Sequence, residues 1–172
     1  MEKKVVNHIT KGIIIALILI VVDIIAGFTN FRYATWYKWV GVVLLVGGVI
    51  WACISYGSQM QHNVSFGSVF GHGFKTSVVV TCIMVVFSVI SLKFIFPETK
   101  DLMLDQMRKQ MAEQGKMTEE MIDQTVEFMK KGFMTIIILS VIIYLLIAGV
   151  VSALIGAAVT KKNPVTPFDN QL

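Results

Sequence analysis

The chain has 172 residues, of which 55% are hydrophobic and only 15% are charged, and its formal net charge is +4. This composition, with a mean hydropathy of +0.73, excludes an ordinary soluble globular domain and leaves no room for a second large domain. The lipid bilayer is therefore the expected solvent of most of the chain.

Four apolar segments are each long enough to cross a bilayer, because a helix needs about 20 apolar residues to span a hydrocarbon core of about 30 Å. If these segments were buried helices of a soluble protein, almost no amphipathic sequence would remain to cover them. The sequence thus predicts an all-α fold, an integral membrane bundle of four transmembrane helices in one membrane domain over residues 1–172, with spans at about residues 12–31, 36–56, 74–96 and 133–159.

The first span follows a short charged start, as the apolar part of a signal peptide would. Its apolar run is about 20 residues long, however, and residues 25–28 form a poor cleavage site. We therefore predict a helix that is retained in the protein.

Asp23 is the only acidic residue within a predicted span. A carboxylate near the middle of a bilayer is costly unless it is neutral, paired or hydrated. One interpretation is a proton or cation site. The other is a hydrogen-bonded aspartate that fixes helix packing, with a serine or threonine of the third span as its partner, from among Ser77, Thr81, Ser88 and Ser91.

The cysteines and the histidines between spans give little sign of a metal site. Cys53 and Cys82 fall inside spans, without a CxxC motif or a neighbouring histidine, and are interpreted as packing residues. His62 and His72 are placed in the loop between the second and third spans, with no carboxylate between them. We interpret them as polar loop residues near the headgroups, and we predict no metal and no cofactor.

Residues 97–131 form the only polar segment large enough to fold outside the bilayer. Residues 98–114 fit a helix that Gly115 ends, and Thr118 is a suitable N-cap for a second helix that continues into the fourth span. This pattern predicts a short extramembrane helical hairpin between helices three and four. Its net charge of −2, from eight acidic and six basic residues, disfavours attachment to anionic lipid.

The apolar side chains of the hairpin repeat at helical spacing and form a predicted interaction face, made of Met103, Met107, Met111, Met121 and Ile122. Methionine stripes also bind Cu(I) in some proteins. Methionine is equally an ordinary apolar filler, and neither cysteine nor histidine accompanies this stripe.

Small residues recur every four positions in the fourth span, at Ala148, Ser152 and Gly156. This spacing lets two helices approach closely. It predicts tight helix packing, either within the chain or in a homo-oligomer.

The distribution of basic residues predicts that both termini lie in the cytoplasm. The side with the termini carries six lysines, whereas the first short loop region carries only Arg32 and Lys38. The long polar segment and its flanks bring further basic residues to the opposite side, although long segments follow the rule less strictly. The expected location is the bacterial inner membrane, with the hairpin in the periplasm.

Three short motifs resemble an uncharacterised family of bacterial membrane proteins, the domain of unknown function 4199. They are the Ser-Phe-Gly-Ser-Val-Phe-Gly-His-Gly-Phe-Lys sequence at residues 65–75, Phe96-Pro97-Glu98, and the Lys-Met-Thr-Glu-Glu-Met-Ile sequence at residues 116–122. The likeness extends over nearly the whole chain. It implies a four-helix inner-membrane protein typical of Bacteroidetes-type bacteria, with no established activity and no functional residues to transfer.

These features favour a structural or interaction protein, in which the hairpin binds a membrane or periplasmic protein partner or a second copy of the chain. The alternative is a small transport or channel component that uses Asp23. It would require oligomerisation, because four helices rarely enclose a pore. An enzyme is not expected, because the sequence has no paired carboxylates, no nucleophile and base at a catalytic spacing, and no cofactor motif. A nucleic-acid partner is not expected either.

Overall fold

The computed structural model describes residues 6–29, 31, 34, 36–115 and 117–163. Within these residues the fold is all-α, without strands, and its helices are α1 His8–Phe28, α2 Tyr37–Gln59, α3 Phe66–Ile90, α4 Thr99–Glu113 and α5 Glu119–Val159. A π-helical turn, Ser91–Ile95, continues α3. Four residues that entered the sequence predictions, Lys3, Lys4, Arg32 and Lys116, lie outside the described residues.

Four of the helices are long and apolar enough to cross a membrane, namely α1, α2, α3 with its π-helical turn, and α5. Their outward-facing side chains are largely apolar, as Leu17, Val43 and Ile147 illustrate. Extensive exposed apolar surface of this kind suits lipid better than water. The all-α prediction and the four candidate membrane helices are therefore confirmed.

Helix α3 begins at Phe66, earlier than the glycine-rich sequence before residue 74 predicts. Ser65 starts the helix, because its Oγ accepts a hydrogen bond from the Ser68 backbone N–H at 3.2 Å. Gly73 lies where α3 closely approaches α2 and α5, so the absence of a side chain there assists packing. The prediction that His72 lies in a loop is wrong, because this residue belongs to α3.

The polar segment contains α4 and the first part of α5. Helix α4 ends at Glu113, near Gly115 with its φ of +61°. Thr118 caps α5 as predicted, since its Oγ1 accepts a hydrogen bond from the Met121 backbone N–H at 3.4 Å. Helix α5 then runs for 41 residues without a break, about 62 Å at 1.5 Å per residue. The second helix therefore continues into the fourth apolar segment, and a separate short hairpin is not established.

The chain divides into two compact units. Unit 1 comprises Met1–Met84 and Tyr144–Leu172, and unit 2 comprises Val85–Ile143. The core of unit 1 is rich in small and β-branched residues, including Ala16, Val49, Cys53, Val69, Val80 and Ala153. The core of unit 2 is built from larger side chains, Phe87, Phe96, Leu104, Ile122 and Phe133.

Candidate functional site

A polar cluster lies inside unit 1, where the first turns of α1 meet α2 and α3. Lys11 is 0% exposed. Its Nζ donates a hydrogen bond to the Ala52 carbonyl at 3.2 Å and lies 3.4 Å from Nε2 of His72. Lys11 of α1 thus contacts a backbone carbonyl of α2 and a side-chain nitrogen of α3.

Aromatic contacts hold the imidazole of His72 in place. The ring of Tyr56 stacks on it with a centroid distance of 4.2 Å and an interplanar angle of 13°. The ring of His8 approaches it edge-on at 6.0 Å. We refer to Lys11, Ala52, Tyr56, His72 and His8 as the clamp cluster, because it joins α1, α2 and α3.

Sequence reasoning missed the clamp cluster. Lys11 was considered only as a charge flanking the first span, although a signal was available: Lys11, Ile15 and Leu19 follow one another at i, i+4 and i+8 and are all buried. A lysine on the apolar stripe of a helix must find internal acceptors. Lys11 has no exposed surface, and the contacts of its Nζ are to two other helices, α2 and α3.

Asp23 lies in the last third of α1 and is half-buried. The Tyr37 hydroxyl, at the start of α2, donates a hydrogen bond to its Oδ1 at 3.3 Å. Ser77 and Thr81 instead donate to carbonyls of their own helix, at Gly73 and Ser77. The carboxylate therefore links α1 to α2, and the packing interpretation of Asp23 has a named partner that the sequence did not suggest.

The five residues of the predicted interaction face differ in their exposure. Met103 and Met121 are exposed, Met107 and Met111 are half-buried, and Ile122 is buried in the core of unit 2 at 4% exposure. Phe128 was not predicted but is 73% exposed, and it shares the face of Met121 at i+7.

An apolar groove of about 180 Å³ lies beside the exposed Met103. Met103 and Met107 of α4 form one wall, and Met129, Phe133 and Ile136 of α5 contribute to the other. We define the docking face as Met103, Met107, Met121 and Phe128 together with this groove.

Arg108 of α4 and Asp123 of α5 form an ion pair, with a distance of 2.5 Å between a guanidinium nitrogen and a carboxylate oxygen. Both side chains are more than half exposed, and exposed pairs contribute at most about 1 kcal/mol. We expect Arg108→Gln to lower the free energy of unfolding by less than about 1 kcal/mol, measured by thermal unfolding in detergent. A larger loss would show that this pair, rather than Leu104 and Ile122, holds α4 in place.

The small residues of the fourth span serve packing within the chain. Ser152 and Gly156 are buried, and Ala148 is half-buried. A Cβ added at Gly156 would lie 2.7 Å from the Cys53 sulfur of α2. The predicted close approach is thus found between α5 and α2 of one chain.

In the part of the chain that the structure describes, no three His, Cys, Asp or Glu residues are grouped so that they could hold a metal ion. His62 lies after α2 with its Nδ1 3.0 Å from the Lys161 carbonyl, whereas His72 contacts Lys11. The two histidines therefore serve different contacts.

A family described as a protein of unknown function (DUF4199) matches residues 10–162. No curated protein matches the chain, and no solved structure matches it.

Proposed function

The chain belongs to the DUF4199 family of proteins of unknown function, and we propose that it is an interaction component of the bacterial inner membrane. Its four apolar helices anchor it. The docking face, on α4 and the beginning of α5, binds a partner protein outside the bilayer. The single observation that carries this proposal is the exposure of large apolar side chains within the most highly charged part of the chain.

Charge supports a position outside the hydrocarbon for this region. Residues 97–131 carry eight acidic and six basic residues, and each charge at the centre of a bilayer costs about 2.5–3.5 kcal/mol on insertion scales. The excess of lysine on the side of the termini over the first short loop supports a cytoplasmic location of both termini. The docking face then lies in the periplasm.

Apolar exposure in this aqueous location favours a protein partner. Phe128 is 73% exposed and Met121 50% exposed, although Glu127, Lys130 and Lys131 beside them are charged. Interfaces are enriched in aromatic residues and methionine at their centres, with charged residues at their rims. The arrangement of the docking face follows this pattern.

The clamp cluster supports a structural role for unit 1. Its donors and acceptors face one another between helices, and Lys11 has no surface through which a substrate could be bound. Helices joined in this way form a membrane anchor.

The test replaces the apolar side chains of the docking face while keeping the helices. A variant with Met103→Glu, Met121→Glu and Phe128→Glu is compared with a control with Ala112→Glu, Gln114→Glu and Gln124→Glu, at positions that are also exposed. Both variants gain the same charge. Each is crosslinked in native membranes and purified, and the bound proteins are identified and quantified.

We expect the docking-face variant to lose a specific protein that the wild type and the control retain. A photo-crosslinking amino acid at position 121 should capture the same protein, whereas one at position 124 should capture less of it. If both variants keep the same bound proteins as the wild type, the proposed function is wrong.

A further inference from the structure

The contact between Lys11 and His72 in the clamp cluster accommodates one positive charge. Nζ of Lys11 lies 3.4 Å from Nε2 of His72, so one nitrogen donates a hydrogen bond and the other accepts it. An imidazole nitrogen accepts only while it carries no proton, and a lysine ammonium is a donor only. At most one of the two side chains is therefore charged while the contact is made.

The surroundings provide no negative charge that could balance a second positive one. The titratable groups that face the pair are neutral or basic: His8 of α1, Cys53 and Tyr56 of α2, and Lys75 of α3. Helix α5 meets this part of α3 at Ala153, which does not titrate. Asp23 is the only acidic residue in the described part of unit 1, and it lies more than three turns of α1 from Lys11, about 18 Å along the helix axis.

A second proton breaks the contact between Lys11 and His72. When His72 is protonated, both of its ring nitrogens are donors, and Nε2 then directs an N–H toward the Lys11 ammonium. Two like charges face each other in a buried site, because Lys11 is 0% exposed and His72 is 9% exposed. A buried charge without a partner is strongly unfavourable. The doubly charged pair therefore requires α1 and α3 to separate here, so that both side chains reach water.

Protons can reach the clamp cluster because it lies close to the ends of its helices. His8, whose ring meets that of His72 at 6.0 Å, is the first residue of α1 and is half-buried. Tyr56 lies within one turn of Gln59, the last residue of α2. An exposed hydrogen bond from the Val6 backbone N–H to Gln59 Oε1, at 2.8 Å, also joins the start of α1 to α2. Helix ends of this kind open locally at lower cost than helix centres.

We propose that Lys11 and His72 form a pH switch, which holds α1 against α2 and α3 at neutral pH and releases the start of α1 in acid. The closed form binds one proton fewer than the open form, so acid favours opening and neutral pH favours closure. An exposed histidine titrates near about pH 6.5. Below that value the equilibrium between the closed and open forms shifts toward the open form by about tenfold per pH unit. The switch lies within unit 1 and does not depend on the docking face or on its partner.

The test follows the opening of α1 directly. The full chain is reconstituted in nanodiscs of phosphatidylcholine, and hydrogen–deuterium exchange of the first turns of α1 is measured by mass spectrometry from about pH 5 to about pH 8, the range in which histidine changes its charge. Protection is expressed relative to the intrinsic exchange rate at each pH. Helix α4, which contains no histidine, reports any loss of protection that is not local.

Two variants form the comparison. His72→Gln supplies an amide oxygen that accepts a hydrogen bond from Lys11 without titrating. His62→Gln is the matched control, because it removes a histidine of the same unit that lies outside the clamp cluster, with its ring 3.0 Å from the Lys161 carbonyl.

We expect the protection of the first turns of α1 in the wild type to fall by about tenfold per pH unit below about pH 6.5. His62→Gln should show the same fall, whereas the protection in His72→Gln should not change with pH. A wild type whose protection is independent of pH would overturn the proposal. The same fall in His72→Gln, or an equal fall in α4, would also overturn it.

A second measurement needs no change at position 72. The chain has three histidines, so a variant with His8→Gln and His62→Gln, isotope-labelled at histidine, shows the His72 ring alone by NMR. We expect its ring nitrogen signals to report a neutral imidazole at every pH at which the first turns of α1 remain protected. A His72 ring that takes up its proton while α1 stays protected would show that the closed contact accommodates two charges. That result would overturn the proposal even if His72→Gln does not fold.

Discussion

Replacing His72 with alanine is expected to lower the free energy of unfolding by about 3–5 kcal/mol, within the range for removing a large buried side chain. The change removes the ring that stacks on Tyr56 at 4.2 Å. It also takes away the nitrogen that lies 3.4 Å from the Lys11 ammonium. The measurement is thermal or denaturant unfolding of the purified protein in detergent.

Two further variants separate the ring from the hydrogen bond. His72→Gln keeps a polar acceptor for Lys11 but loses the stacking, so its effect should fall between those of the wild type and His72→Ala. His62→Ala is the control, because His62 lies in a turn outside the clamp cluster and its imidazole lies 3.0 Å from the backbone carbonyl of Lys161. If His72→Ala and His62→Ala cost the same, the clamp cluster does not hold the helices together.

The second large effect is expected from Gly73→Ala, in the packing of α2, α3 and α5. The added Cβ would lie 2.5 Å from the Cys53 sulfur and 3.1 Å from the Cβ of Ala153, closer than atoms pack without movement. Forcing such contacts typically costs about 1–3 kcal/mol, or roughly 2–4 °C in melting temperature per kcal/mol for a chain of this size. Thermal unfolding in detergent measures the shift.

The same helix provides a matched control at Gly71, where an added Cβ meets no atom within 4 Å. Gly71→Ala should leave the stability unchanged or raise it, because alanine is favoured over glycine in helices by about 1 kcal/mol. The double variant Cys53→Ala with Gly73→Ala should recover part of the loss, with a coupling of about 0.5–3 kcal/mol. A Gly73→Ala protein as stable as Gly71→Ala would contradict the packing described for α3.

Part of the candidate site was accessible from the sequence. Thr118 was recognised as an N-cap, because capping depends on residues next to one another in the chain. The exposed Met103 and Met121 were recognised from helical spacing. Ile122 was placed on the same face, but it is buried at 4% exposure. A helical stripe shows which side chains share a direction, and not which of them the neighbouring helix covers.

The sequence alone determined the class of the protein. The length and the hydropathy of an apolar run are local properties of the sequence. Because a bilayer of fixed thickness requires a minimum length of apolar helix, the four candidate membrane helices could be recognised from the sequence alone.

Only the tertiary structure decided which residues meet. Lys11, Ala52 and His72 come from three helices that are far apart in the chain, and no local pattern pairs them. Asp23 likewise accepts a hydrogen bond from Tyr37 of α2, a contact that no local pattern predicts. A buried polar group must find a donor or acceptor, but which one it finds depends on how the helices turn toward one another. Close contacts between helices restrict that rotation, such as those at Gly12 and Gly48 for α1 and at Gly73 for α3.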